Sequence, residues 1–141
     1  MVCFLAGMML VLSGCGKEEP VLKDGYYTAI TSDYHFGWKE LVSVCISNGQ
    51  LVSVEYNAKN PSGFIKSWDM SYMRNMEGVS GTYPNAYTRN YAAEFLEKQD
   101  AGEIDILTGA TSSGNQFQKL AAAAMEQAKK GDSTVVVVKM E

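Results

Sequence analysis

The sequence predicts an α+β domain in which a mostly antiparallel sheet is covered by helices on one face. Three observations carry that expectation. Strand-favouring segments with an Asn-Gly turn come first, between residues 25 and 56. Stretches with apolar residues three and four apart follow. A run of valines, Val135 to Val138, closes the chain. With 141 residues, 46% of them apolar, the chain suits one ordinary domain with a real core. It contains no internal repeat.

Residues 25–34 carry Tyr26, Tyr27, Thr28, Ile30 and Thr31, all strand formers, and are read as the first strand. Leu41 to Ile46 and Leu51 to Tyr56 form two more, joined across Asn48-Gly49. The apolar phase selects the loop. A three-residue loop, Ser47-Asn48-Gly49, pairs Ile46 with Gln50, Val44 with Val52 and Val42 with Val54, placing the valines on one face. A type I turn with left-handed Gly49 in a bulge is therefore expected. Asn60-Pro61-Ser62-Gly63 breaks the sheet. Ile65, Trp68, Tyr72 and Met76 mark a first helix, and Gly78 to Tyr83 reads as a loop. Pro84 opens a second helix that buries Tyr87, Tyr91, Phe95, Leu96 and Ala92 and ends near Asp100-Ala101-Gly102. Phe117, Leu120, Ala121, Ala124, Met125 and Ala128 give a third, with Lys129 and Lys130 at its negative end and Gly131 as C-cap. Thr134 to Lys139 reads as a buried strand.

Charge and rare residues narrow the function. Twelve Lys and Arg against sixteen Asp and Glu give a net charge of −4, without a basic cluster, which argues against nucleic acid. Three cysteines are too few for a disulfide scaffold, and one histidine cannot build a multi-histidine metal site. His35 lies in Tyr34-His35-Phe36-Gly37-Trp38, a loop, where an exposed or satisfied histidine is the ordinary case. Cys45 falls on the face opposite the valines and reads as a structural thiol.

The N-terminus has a pattern of its own. Val2 to Leu12 is apolar and uncharged, too short to span a bilayer and of the right length for the core of a signal peptide. Leu12-Ser13-Gly14-Cys15 resembles a bacterial lipobox, although no Lys or Arg precedes Cys15. The resemblance implies a signal peptide over 1–14 and a diacylglyceryl thioether on Cys15. A polar tether would run over 15–24, followed by the domain proper over 25–141. The protein would then be lipid-anchored at the extracytoplasmic face of the bacterial cell membrane.

Asp105 to Gly114 (Asp-Ile-Leu-Thr-Gly-Ala-Thr-Ser-Ser-Gly) joins the second and third helices. Ser112 or Ser113 can cap the third helix. Free amides and the helix dipole there favour an anion such as phosphate. Gly109, Ala110 and Gly114 leave room for a bulky group. The same residues are also what an ordinary helix cap requires.

Asp105-x-x-Thr108-Gly109-Ala110-Thr111 resembles the flavinylation motif Asp-x-x-(Ser/Thr)-Gly-Ala-Thr of the FMN-binding domain family. That family includes flavin-carrying subunits of the sodium-pumping NADH:quinone oxidoreductase and of Rnf complexes, and secreted lipoproteins of extracellular electron transfer. Gly25-Tyr26-Tyr27-Thr28-Ala29, the Asn48-Gly49 hairpin, Lys66-Ser67 with Tyr72 and Met76, Tyr83-Pro84 with Tyr87, and Thr111-Ser112-Ser113 before an Ala-rich helix extend it over roughly residues 25 to 130.

The resemblance implies FMN joined to Thr111 by a phosphoester bond, attached by a separate flavin transferase because an aliphatic hydroxyl without a base is a poor nucleophile. Asp105 would serve recognition by that transferase or its chemistry. Thr108 completes the motif, and amides around Ser112 to Gly114 would hold the phosphodiester. Trp68, Tyr72, Met76 and Tyr83 are candidates for contact with the isoalloxazine ring, each equally suited to core packing. The implied role is a tethered electron carrier rather than a stand-alone enzyme. Its donor would be a membrane quinol or flavoprotein, its acceptor soluble or extracellular, and the bilayer would be met through Cys15. Non-covalent binding of flavin or another phosphorylated ligand is the alternative, and a lipid-anchored interaction protein without cofactor is a third.

Overall fold

A computed structural model describes residues 20–141. The expected signal peptide and Cys15 lie outside the described residues. The fold is α+β: a four-stranded sheet in the order β3-β2-β1-β4, with the helices on one face.

Strands β1 (Gly25–Thr31), β2 (Lys39–Ser47) and β3 (Gln50–Lys59) form an antiparallel meander. Alternation puts Tyr27 and Ala29 of β1 and Val42, Val44 and Ile46 of β2 on the buried face. Cys45 lies on the opposite face, as its phase required. Packing begins before β1. Leu22 rests against the core, and the Asp24 carboxylate accepts the amides of Asn48 and Gly49 at 3.0 and 2.9 Å. The first strand stops at Thr31 rather than reaching Tyr34, because His35 and Trp38 close a second, two-residue turn.

The β2–β3 hairpin departs from the expected register. Its loop has two residues, Asn48 (φ 51°) and Gly49 (φ 71°), the left-handed pair of a type I′ turn. Ser47 faces Gln50 and Ile46 faces Leu51, both buried. The phase conflict is resolved inside the strand. A bulge sets Cys45 opposite Ser53, leaving Val52 unpaired, and restores the inward phase as Val44–Val54 and Val42–Tyr56.

The expected first helix is broken. Lys66–Trp68 form a short 3₁₀ turn, and α1 (Met70–Ser80) starts anew at Asp69, whose carboxylate accepts the Tyr72 amide at 2.9 Å. Met73 is the buried residue of α1, which runs through Gly78 to a left-handed Gly81. Helix α2 (Pro84–Lys98) has Pro84 in its first turn and buries Tyr87, Tyr91 and Phe95, while Leu96 stays exposed. Helix α3 (Thr111–Lys130) buries Phe117, Leu120, Ala121, Ala124 and Ala128 and ends at left-handed Gly131. Its N-cap is Ala110, so neither Ser112 nor Ser113 caps it.

Strand β4 (Val136–Val138) is a short edge strand parallel to β1, not a buried one. Val137 alternates onto the outer face and is exposed, as is Val135 before the strand, while Val136 and Val138 pack partly buried against the core. Under the sheet, the ring centroids of Tyr56, Tyr91 and Phe95 stand 5.0, 5.9 and 5.9 Å from that of Phe117.

The bulge gives a direct test of register. Leu51→Ala is expected to cost about 2–5 kcal/mol in urea denaturation. Val52→Ala, at a position 47% exposed, should stay within about 0.5 kcal/mol. The reverse order of costs would restore the three-residue loop.

Candidate functional site

The head of α3 opens on a cleft of about 170 Å³. His35, Phe36, Glu40, Lys66, Tyr72, Met76 and residues 109–113 line it. A second cleft, of about 330 Å³, lies beyond His35 and Ser112, against Tyr34, Trp38 and Met140.

Local chemistry places Thr111. The amide of Ala110 bonds the carbonyl of Leu107 at 3.1 Å, closing a turn through Thr108 and Gly109. Gly109 has φ 85°, and a β-carbon there would stand 2.2 Å from the Ser80 carbonyl oxygen, so the turn presses on the end of α1. Tyr91 holds the loop from below: its hydroxyl donates to the Ala110 carbonyl at 3.0 Å and accepts the Leu107 amide at 3.1 Å. A β-carbon on Gly114 would meet Ile106 at 2.6 Å and the Tyr91 hydroxyl at 2.9 Å, so the helix start sits tightly on this support. Thr111 is then the first residue of α3 and is exposed. No side chain caps the turn, and Gly114 is the first residue whose amide finds its helical acceptor, Ala110. The amides of Thr111, Ser112 and Ser113 remain available.

The floor is charged and buried. Lys66 is 7% exposed and Glu40 8%. Among the described residues no carboxylate lies within 4 Å of Lys66. Its ammonium sits 4.7 Å from the centre of the Tyr72 ring and 5.9 Å from that of Trp38. Burial alone would lower its pKa, but the phenols of Tyr87 and Tyr72 and the Glu40 carboxyl more than offset this and leave it raised. Burial pushes the Glu40 carboxyl up, and the opposing Tyr56 hydrogen bond and the Lys66 and His35 charges do not cancel it. The Tyr56 hydroxyl touches Glu40 Oε2 and, at 2.9 Å, the Ser113 carbonyl. Burial, then Glu40, hold its pKa well above the phenol range.

At the rim, Phe36 (φ 49°) and Gly37 (φ 85°) form the turn between His35 and Trp38. Phe36 is 84% exposed, with its ring centroid 4.3 Å from that of His35. A bulky residue at positive φ stores backbone strain, a feature that clusters at binding sites.

The structure gathers Gly109, Ala110, Thr111, Ser112, Ser113, Tyr72 and Met76 in one cleft and buries Gly114 beneath it. Asp105 and Thr108 stay outside. The Asp105 side chain is 89% exposed and lies 3.7 Å from Lys98, and its amide donates to Glu94 at 2.8 Å. Trp68 points to solvent beside Phe64, and Tyr83 serves as the N-cap residue of α2; neither lines the cleft. Sequence reasoning missed Glu40, Lys66 and Phe36 and gave His35 no role. Glu40 had a signal: it shares the buried phase of Val42, Val44 and Ile46. Lys66 entered only as part of the resemblance and without a role, because a 3₁₀ turn has no helical periodicity that would mark its burial.

Two predictions test this arrangement. Gly109→Ala should cost about 2 kcal/mol or more by denaturant titration, since it combines a positive φ with a backbone clash. For Glu40, the folded-state pKa lies above the ordinary 4.5, so the unfolded chain releases this proton first as pH rises. Its contribution to stability should decline from the ordinary carboxyl range upward through the raised pKa. Glu40→Gln should flatten that part of the stability–pH curve, measured by urea midpoints.

No protein-family model matches the chain. The 15 kDa lipoprotein of Treponema pallidum (strain Nichols) is 30% identical over 135 residues, spanning 95% of this chain and 94% of that protein. The crystal structure of the CPE2226 protein from Clostridium perfringens superposes with a TM-score of 0.80 at 38% identity, covering 85% of this chain and 99% of that one. A solution structure from Clostridium thermocellum gives 0.54 at 30% identity, over 76% and 92% of the two chains. At 30% identity with near-complete coverage of both sequences, the chain belongs to the family of the 15 kDa lipoprotein of Treponema pallidum.

Proposed function

We propose that this protein is a membrane-tethered electron carrier whose FMN is linked through phosphate to the Thr111 hydroxyl. The observation that carries the reading is the position of Thr111. It is exposed at the uncapped head of α3, in a cleft shared with Lys66, Tyr72 and Met76. The residues suit the group. The Thr111, Ser112 and Ser113 amides and the Lys66 ammonium match a phosphodiester, and Tyr72, Met76 and Phe36 offer apolar surface for a ring. Closed small-molecule pockets occupy roughly 300–1,000 Å³. The cleft, at about 170 Å³, would leave part of the ring in solvent, open to redox partners. When bound, FMN supplies one- and two-electron transfer. Lys66 and the helix dipole would favour negative charge beside it.

Asp105 and Thr108 stand outside the cleft on the exposed approach to α3, which suits recognition by the flavin transferase rather than contact with the flavin. The lipoprotein name of the Treponema relative supports a lipid anchor, which we place on Cys15 at the extracytoplasmic face. Electrons would then come from a membrane quinol or flavoprotein and leave to a soluble or extracellular acceptor.

Co-expression with a flavin transferase is expected to add the mass of FMN less water, and the denatured band should fluoresce. Thr111→Ala should lose both, and Thr111→Ser should keep them. A flavin still covalently bound in Thr111→Ala would sink the site; a chromophore released on denaturation would favour non-covalent binding.

A further inference from the structure

Two buried groups of opposite charge type share the cleft floor without pairing. Lys66 and Glu40 are each more than nine-tenths buried, yet no ion pair joins them. The Tyr87 hydroxyl beside Lys66 is a neutral partner, and among the described residues no carboxylate pairs with the ammonium. A buried ammonium without a counter-charge is costly unless something on the open side supplies one.

The hydrogens account for the missing pair. The Tyr56 oxygen is in reach of two acceptors, Glu40 Oε2 and the Ser113 carbonyl, but a phenol has one hydrogen. If Glu40 is ionised, the single Tyr56 hydrogen serves one of these two contacts and the other brings two oxygens together with no hydrogen between them. If Glu40 carries a proton, its hydroxyl donates to the Tyr56 oxygen and Tyr56 donates to Ser113. Both contacts then hold a hydrogen, at the loss of Glu40 as a counter-charge for Lys66.

We propose that the Lys66 ammonium and the amides of Thr111, Ser112 and Ser113 form a cradle for a tetrahedral oxyanion of the phosphate class, and that the proton on Glu40 sets its affinity. The groups facing Glu40 are Tyr56 from β3, Lys66 from the turn before α1, His35 from the β1–β2 tip, Tyr87 from α2 and Ser113 from α3. Tyr72 of α1 and Tyr87 face Lys66. Of these, Glu40 and His35 are the side chains whose ordinary pKa values lie below or near neutrality. When Glu40 loses its proton, the carboxylate competes for Lys66 and opposes an incoming anion. The inference rests on the reading that a phosphate-bearing group occupies this cleft. Its occupant is the phosphodiester on Thr111 or a free phosphate ester.

The probe is inorganic sulfate, whose charge is constant across neutral pH, added at fixed ionic strength to the protein without flavin. Amide shifts of residues 111–114 are the readout. They should move and saturate, with affinity falling as pH rises. Lys66→Gln should weaken binding at least about tenfold, equivalent to about 1.4 kcal/mol, and Lys66→Arg should retain it. Glu40→Gln should remove the pH dependence, and His35→Gln should keep it. The cradle is overturned if Lys66→Gln binds like wild type, and the proton's role if Glu40→Gln keeps the pH dependence or His35→Gln loses it. Carbon-13 titration of the Glu40 carboxyl needs no variant: it should ionise after the surface glutamates, later still with sulfate present, and early ionisation refutes the proposal. Flavinylated protein that ignores sulfate identifies the phosphodiester as occupant; continued binding identifies a free ester, and both outcomes support the cradle. A protein that never gains flavin would end the electron-carrier reading and leave the sulfate result standing.

Discussion

One phenol ties the sheet to the head of α3. Tyr56 spans the gap from β3, touching Glu40 on β2 and the Ser113 carbonyl in the first turn of the helix. It can do so because the bulge at Val52, four residues earlier, returns β3 to the inward phase. Without the bulge, Tyr56 would face solvent and the buried carboxyl would lose its phenol partner. Tyr91 performs the matching task from α2, holding Ala110 and Leu107 on either side of the Gly109 turn. Leaving either set of buried polar groups unserved would cost about 1–3 kcal/mol. The place of Thr111 is therefore set from beneath, by aromatic residues of the core.

The tyrosines have a double character. Their rings pack with Phe95 and Phe117 in the apolar centre, and the hydroxyls of Tyr56, Tyr87 and Tyr91 emerge near the base of the cleft and its loop. This gives the cleft a polar floor on a rigid footing. The same burial makes a charge there expensive, and Lys66 and Glu40 meet that cost differently. Lys66 keeps its charge over the ring faces of Tyr72 and Trp38, and Glu40 is pushed toward its neutral form. The uncapped turn of α3 adds partial positive charge to the same corner, so the electrostatics there favour an anion.

Much of the fold was legible because periodicity survives in a single sequence. The stripe of Phe117, Leu120, Ala121, Ala124 and Ala128 fixed α3, and Pro84 and Gly131 marked helix ends where φ is restricted or must be positive. The hairpin was legible in its turn and not in its register. Odd and even apolar phases on β3 can be reconciled by a longer loop or by a bulge, and the two differ only in how neighbouring strands pack. Ile65, Trp68, Tyr72 and Met76 looked like one helix because the spacing runs unbroken across Asp69, whose capping role depends on its carboxylate reaching the Tyr72 amide. The valines of the last strand announced burial on both faces, but at the sheet edge only Val136 and Val138 pack partly against the core, and Val137 turns outward.

By itself the sequence determined the fold class, and it singled out the segment before α3 by a motif that resembles a flavinylation motif. These depend on local order: which residue follows which, at what spacing. Tertiary structure alone decided that Glu40, Lys66 and Phe36, 71, 45 and 75 positions before Thr111, share its cleft, and that Asp105, only six before it, does not. The reason is physical. Sheet register, a 3₁₀ turn and a strained hairpin tip bring distant charges into one dry corner, while the chain between Asp105 and Thr111 turns sharply at Gly109 and leaves the nearer carboxylate in water.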